Sequence, residues 1–260
     1  MKYPQYTDRV VAKYYQRVKQ CLQWTDLVVT ISESTKQDII QYLNVSPDKI
    51  FVTPLASRYS QDFLDRYDCE QLKAQTSYDF EQPYLLFVST IEPRKNLITL
   101  VKAFNYLKQK YGIEHNLVLI GKKGWRYQAI FEAIASSDYS KSIYHLDYLS
   151  DELVALFYRL ATAFVYPSYY EGFGLPVLEA MTLGTPVICS NTSSLPEVVG
   201  NAAWQIDPNQ PLELAEAIWQ AIDNTQIKQD LIQKGYQQAK NFSWSKTAIK
   251  TIETYHQLSE

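Results

Sequence analysis

The chain has 260 residues, a formal net charge of −3 and 46% hydrophobic residues. That is enough for one large packed domain, or one domain plus a piece of another, and the mildly acidic balance argues against nucleic acid as a partner. No apolar run approaches the roughly 18 residues that span a bilayer, residues 1–10 lack the apolar core of a secretion signal, and Cys21, Cys69 and Cys189 are too few and too dispersed for a disulfide framework. A cytoplasmic chain with reduced thiols is therefore expected, with peripheral membrane contact left open.

In chain order, residues 9–23 carry Val10, Tyr14 and Val18 at four-residue spacing, which predicts a helix. Residues 27–31 read as a short strand. Ser32 is placed to cap a helix that ends near Leu43, with Asn44 as its stop. Residues 50–53 form another strand, halted by Pro54, and residues 57–77 read as a polar connector with some helix. From Tyr84 onward the pattern is strand, loop, helix, repeated, as in a parallel sheet covered on both faces. Strands are predicted at 84–89, 117–120, 143–146, 163–166, 186–190 and 203–206. Asn96 opens a helix with Leu97, Leu100, Val101, Phe104 and Leu107 facing inward. Ser150 caps a helix over 151–160 with acids in its first turn. A short helix near 196–199 precedes the last strand, and helices at 211–223, 227–240 and 244–258 finish the chain. The fold class is α/β: a Rossmann-like sheet with helices on both faces, plus a remnant of a second α/β unit.

The chemistry concentrates in residues 169–179, Y-Y-E-G-F-G-L-P-V-L-E. Glu171 and Glu179 bracket Gly172, Gly174 and Pro176 between a strand and a helix start. Glycines let backbone N–H groups approach a ligand, and Pro suits the first helical turn. Ionised carboxylates are pure acceptors suited to sugar hydroxyls, and a helix N-terminus favours phosphate. Arg94 and Lys95 follow another strand and suit a diphosphate; alone they would read as a solvated basic turn. Lys122, Lys123 and Arg126 flank Gly121 and Gly124 after the next strand, either enlarging a positive pocket or forming a solvated loop, while Trp125 is expected to pack locally. Asn191, Thr192 and Ser193 suit a turn as well as a ligand contact. His115, His145 and His256 do not cluster, His145 is expected to be structural, and no D-x-D, P-loop or G-x-S-x-G occurs. No metal site is expected.

The Glu171-x7-Glu179 pair, with the run to Asn191, S-S-L-P-E-V-V-G at Ser193–Gly200 and I-E-P-R-K-N at Ile91–Asn96, resembles the retaining glycosyltransferase family 4. The resemblance covers the chain from about Thr25 to its end. It implies a two-domain GT-B architecture. Residues 1–56 would be the last pieces of the acceptor-side domain, 57–81 a connector, 82–236 the nucleotide-sugar domain and 237–260 a helix crossing back to the front. About one small domain's worth of residues would be missing from the front. By the same resemblance Glu171 holds the sugar hydroxyls, aided by the backbone of Phe173 and Gly174. Glu179 holds the ribose, and Arg94 and Lys95 neutralise the leaving diphosphate. Gly172 and Leu175 join the donor site, the backbone at Leu149 reads the nucleobase, and Ser89 and, from the basic glycine loop, Lys122 are further donor-binding candidates. Ser89 stands where many members carry a phosphate-binding Arg, so Arg94 or the missing half would supply that charge.

The expected activity is transfer of a hexose from a nucleoside diphosphate sugar to a saccharide or lipid-linked acceptor, with retention and without cofactor or metal. Two alternatives stay open: a non-catalytic donor-binding half that needs a separate chain or self-association, and another GT-B enzyme such as a sugar-nucleotide epimerase. A phosphorylase would need a lysine-bound pyridoxal phosphate, for which no motif is present.

Overall fold

The computed structural model describes residues 9–258. The front of the chain is α1 (Arg9–Cys21), β1 (Val28–Thr30), α2 (Glu33–Leu43) and β2 (Ile50–Val52). The two strands pair in parallel as a separate two-stranded sheet. The Ser32 hydroxyl caps α2 by accepting from Thr35 N, and Asn44 ends it in the left-handed region at φ 55°. A connector with one short helix, α3 (Cys69–Lys73), leads into the main body.

That body is a six-stranded parallel sheet made of β3 (Tyr84–Val88), β4 (Asn116–Ile120), β5 (Ile143–Leu146), β6 (Ala163–Tyr166), β7 (Val187–Ser190) and β8 (Ala203–Ile206). The spatial order is β5-β4-β3-β6-β7-β8. The inner strands are near-continuous apolar runs because helices cover both faces; β4, β6 and β7 are buried at every position. The outer strand β5 alternates more, with Ile143 buried and Tyr144 exposed. The order reverses between β3 and β6, registered as Leu85 opposite Ala163 and Leu86 opposite Phe164. Such a switch point opens a crevice at the carboxyl ends of the strands.

The helices are α4 (Leu97–Tyr111), α5 (Gln128–Ala135), α6 (Asp151–Leu160), α7 (Leu175–Thr182), α8 (Leu195–Val199), α9 (Pro211–Asp223), α10 (Thr225–Ala239) and α11 (Trp244–His256). All five residues expected to face inward from α4 are buried there, and α4 packs on α9. Ser150 caps α6 by accepting from Leu153 N. At the far end, α11 reaches back to the connector: the Thr247 hydroxyl donates to Pro54 O at 2.5 Å and Trp244 Nε1 to Ser57 O at 3.1 Å.

Asn96 opens α4 as expected, but without a side-chain cap bond: it sits at φ 58° and its amide donates to Pro167 O and Pro208 O at 3.1 and 2.7 Å. It therefore ties the start of α4 to the loops after β6 and β8. Helix α5 was not anticipated, being only 8 residues long with a single fully buried position, Ile130.

Candidate active site at the switch point

The expected site residues fall on the loops and helix starts at the carboxyl ends of β3, β4, β5 and β6. The β3 and β4 loops are zipped together: Ser89 N donates to Ile120 O, Ile91 N to Lys122 O and Gly124 N to Ile91 O. Gly121 is required by this close approach, since a Cβ there would lie 2.1 Å from Ser89 O, at a φ of 141°. Ser89 thus serves the loop through its backbone. The β6 loop is tied to the β3 loop by Tyr169 N donating to Arg94 O at 3.0 Å.

Across the switch point these loops bring Glu171, Lys95 and Arg94 together. Glu171 is 7% exposed and Lys95 4%. Glu171 Oε1 accepts from Lys95 Nζ at 2.7 Å, and Oε2 pairs with Arg94 Nη1 at 2.9 Å. Lys95 also donates to the Tyr166 hydroxyl at 2.7 Å. Arg94 grips Glu92 Oε1 through Nε and Nη2 at 3.0 and 2.6 Å, and donates from Nη1 to Tyr170 O at 2.6 Å. Burial pushes the Glu171 carboxyl up, but Lys95 and then Arg94 outweigh it and hold it below the ordinary carboxylate value. Burial draws Lys95 down, against the attraction of Glu171. Two carboxylates and two cations form a balanced ionic cluster rather than a bare positive pocket.

The backbone of Glu171 is clamped from the loop before α8. Its N–H donates to Ser193 Oγ at 2.9 Å, and the Ser194 hydroxyl lies 2.9 and 2.8 Å from the carbonyls of Glu171 and Phe173. Gly174, at φ 112°, opens α7, and a Cβ there would meet Leu195 Cδ2 at 2.7 Å. Gly172 is different: a Cβ would find nothing nearer than 3.8 Å. Its carbonyl accepts from the Ser32 and Thr35 hydroxyls at 2.6 and 3.1 Å, which joins the front of the chain to the site loop. The Phe173 ring is buried against Phe242, and Leu175 begins α7 half-buried.

Glu179 forms a second, separate centre. It is 2% exposed; Oε1 accepts from Arg58 Nε at 2.7 Å and Oε2 from the Tyr158 hydroxyl at 3.3 Å. Burial dominates and raises its pKa despite Arg58 and Tyr158. The two glutamates therefore have distinct partners and opposite electrostatic tuning.

The remaining basic residues divide. Lys122 Nζ lies over the Tyr148 ring at 5.0 Å, beside half-buried Leu149, whereas Lys123 turns onto Phe131 at 4.7 Å. Trp125 packs locally, donating from Nε1 to Glu92 Oε2 at 3.0 Å. His145 is structural, with Nε2 2.9 Å from Gly121 O. Sequence reasoning missed Arg58, Tyr158, Tyr166 and the clamping role of Ser193 and Ser194. Arg58, Tyr158 and Tyr166 belong to no motif, and only the polar tips of the two tyrosines in otherwise apolar runs were a signal; Ser193 and Ser194 open the S-S-L-P-E-V-V-G run, but their bonds to the backbone of Glu171 and Phe173 depend on the tertiary fold. Among the described residues no group of three or more His, Cys, Asp or Glu is placed to hold a metal, and no helix is long and apolar enough to cross a membrane.

Comparison with known proteins identifies the family and the fold. Residues 68–238 match the family described as "Glycosyl transferases group 1". The chain is 35% identical to O-antigen chain mannosyltransferase B of Escherichia coli, over 97% of its own length and 66% of the relative's. In fold it is similar to sucrose-phosphate synthase from Thermosynechococcus elongatus, with a TM-score of 0.80 at 23% identity, covering 99% of this chain and 65% of that one. It is also similar to HepE from Anabaena in complex with UDP and glucose, with a TM-score of 0.75 at 18% identity, covering 93% and 67%. The chain thus spans about two thirds of the length of these relatives. The α/β architecture is that of GT-B glycosyltransferases, and the chain belongs to the glycosyl transferases group 1 family.

Proposed function

We propose that this chain carries the donor-binding part of a family 4-like glycosyltransferase, which moves a hexose from a nucleoside diphosphate sugar to a hydroxyl of a saccharide or lipid-linked acceptor with retention of configuration. The observation that carries the reading is the buried Glu171 carboxylate held by Lys95 and Arg94 where β3 and β6 diverge. The E. coli relative's name makes mannose the first sugar to try.

In this reading Glu171 accepts from hydroxyls of the bound sugar. Its two cations hold it ionised, and they share their charge with the leaving diphosphate as negative charge grows there. Lys122 adds charge from the β4 loop, and the backbone at Gly172, Phe173, Gly174 and Leu175 lines the sugar and phosphate side. Glu179 takes the ribose, and the β5 loop at Leu149 takes the base. No metal is required, because the charge is met by Arg94 and Lys95.

The roles of the two glutamates separate in one binding experiment. Glu179→Ala should weaken free nucleoside diphosphate and sugar nucleotide alike. Glu171→Ala should weaken the sugar nucleotide and leave the free nucleotide nearly unchanged. Each lost charged hydrogen bond is worth about 1.5–3 kcal/mol, or roughly 10- to 150-fold. Equal losses for both variants on the bare nucleotide would refute the division.

A second reading follows from the surface. Tyr14 of α1 and Trp244, Ile249, Ile252 and Tyr255 of α11 are all more than half exposed. A donor-binding half that works only with a second chain, or as a self-associated pair, would cover them.

A further inference from the structure

Arg58 lies in the connector, in no motif, yet its guanidinium bridges two acids of the crevice. Nε donates to Glu179 Oε1 at 2.7 Å and Nη1 to Asp151 Oδ1 at 2.8 Å. The Arg58 side chain is 52% exposed and the Glu179 side chain 2%, so the arginine lies between the carboxylate and solvent. Its backbone is anchored: the carbonyl of the preceding Ser57 accepts from Trp244, and Tyr59 is buried with its hydroxyl on Asp151 O at 3.1 Å. A pair between two exposed side chains contributes little, but this one reaches a buried carboxylate, for which loss of the cation is costly.

We infer that Arg58 is a positioning residue of the donor site, holding Glu179 as a fixed, charged acceptor for the ribose of a nucleoside diphosphate. The inference rests on the assignment of Glu179 to the ribose. Arg58 engages Oε1, while Oε2 carries the longer bond to Tyr158 and keeps capacity for a ligand hydroxyl. The groups facing Glu179 are Arg58 and Tyr59 of the connector and Tyr158 and Asp151 of α6. Of these Arg58 alone favours the ionised form by its charge; burial and Asp151 oppose it, and the Tyr158 hydrogen bond assists. Without Arg58 the carboxyl would take up a proton at a higher pH and cease to be a pure acceptor.

The test is calorimetric binding of UDP, GDP and ADP between pH 5.5 and 8.5 to wild type, Arg58→Ala, Arg58→Lys and Glu179→Ala. Arg58→Ala should bind the preferred nucleotide severalfold more weakly at the acid end of this range and close to wild type at pH 8.5, because loss of the cation raises the pH at which Glu179 takes up a proton. Arg58→Lys should recover most of the loss at low pH. A pH-independent loss without rescue by lysine would make Arg58 merely structural and overturn the inference. Tighter binding by Arg58→Ala would make it a competitor and overturn it equally. Undiminished nucleotide binding by Glu179→Ala, or none by wild type, would instead bring down the ribose assignment and this inference with it.

Discussion

The six-stranded body and the front of the chain with α11 are built from similar elements but solve burial differently. Between β3 and β8 the chain interleaves strands with helices whose apolar faces are used up; Leu85, Leu86, Phe87, Phe104, Phe164 and Val187 are all 0% exposed. In the front region α2 buries no residue completely, β1 pairs with β2 in a sheet of two strands, and α11 buries only Thr254. A two-stranded sheet is marginal on its own. The body therefore carries the stability, and the front region is held to it by polar ties such as Ser32 to Gly172 and Tyr170 to Asp38. The Glu33 and Ser34 N–H groups, which begin α2, are satisfied by the Glu197 carboxylate at 2.9 and 3.1 Å. The site loop after β6 touches the front region through Ser32 and Thr35 on Gly172 O, so the proposed donor site would adjoin the more lightly packed part.

The contrast breaks most sharply under truncation. Phe104→Ala should cost about 3–5 kcal/mol in a denaturant melt, whereas Ile249→Ser or Ile252→Ser should change stability by less than about 0.5 kcal/mol. Comparable losses from both would show that the front region is part of one cooperative core. If the exposed face is a partner surface, the serine variants should abolish self-association seen in light scattering; a wild-type monomer with full sugar transfer would remove that role.

Next in size is the buried ionic cluster. Glu171→Ala leaves Lys95 buried beside Arg94 and should destabilise by about 3 kcal/mol. Because Glu171 titrates below its ordinary value of 4.5 in the folded state, its contribution is complete above that pH and is lost as pH falls through the lower folded value. Unchanged acid stability in Glu171→Gln would contradict the pairing.

A further pH-dependent effect comes from His115, immediately before β4. Burial, with Lys108 and Lys228 nearby, lowers its pKa from 6.5 to about 4. The folded state then binds fewer protons than the unfolded one across that interval, so stability should decline as pH falls from about 6.5 to 4. His115→Asn should flatten that slope; an unaltered slope would show that other groups set it.

Much of this was legible in the sequence because it is local. The helix over Asp151–Leu160 and the strand over Ala163–Tyr166 are observed with the predicted ends. The front helix over 9–23 is observed as Arg9–Cys21; the side chain of Val10, one of its expected apolar positions, lies outside the described residues. Glu171, Arg94 and Lys95 were placed in one crevice by strand-end logic, and they do meet. Their mutual neutralisation was not legible, because it depends on which side chains face each other across the switch point. Arg58 was hidden for the same reason, in a connector more than 90 residues before Asp151 and 120 before Glu179. Asn96 shows the limit of local rules: its type suits a cap, yet its amide is spent on two distant carbonyls.

The central claim, that this crevice takes a nucleoside diphosphate sugar without a metal, is tested most directly by calorimetry in EDTA with UDP, GDP, ADP and their sugar conjugates. The account predicts saturable binding of at least one nucleotide to wild type, tightened by its sugar conjugate. No heat in EDTA, followed by binding once Mg²⁺ is added, would contradict it.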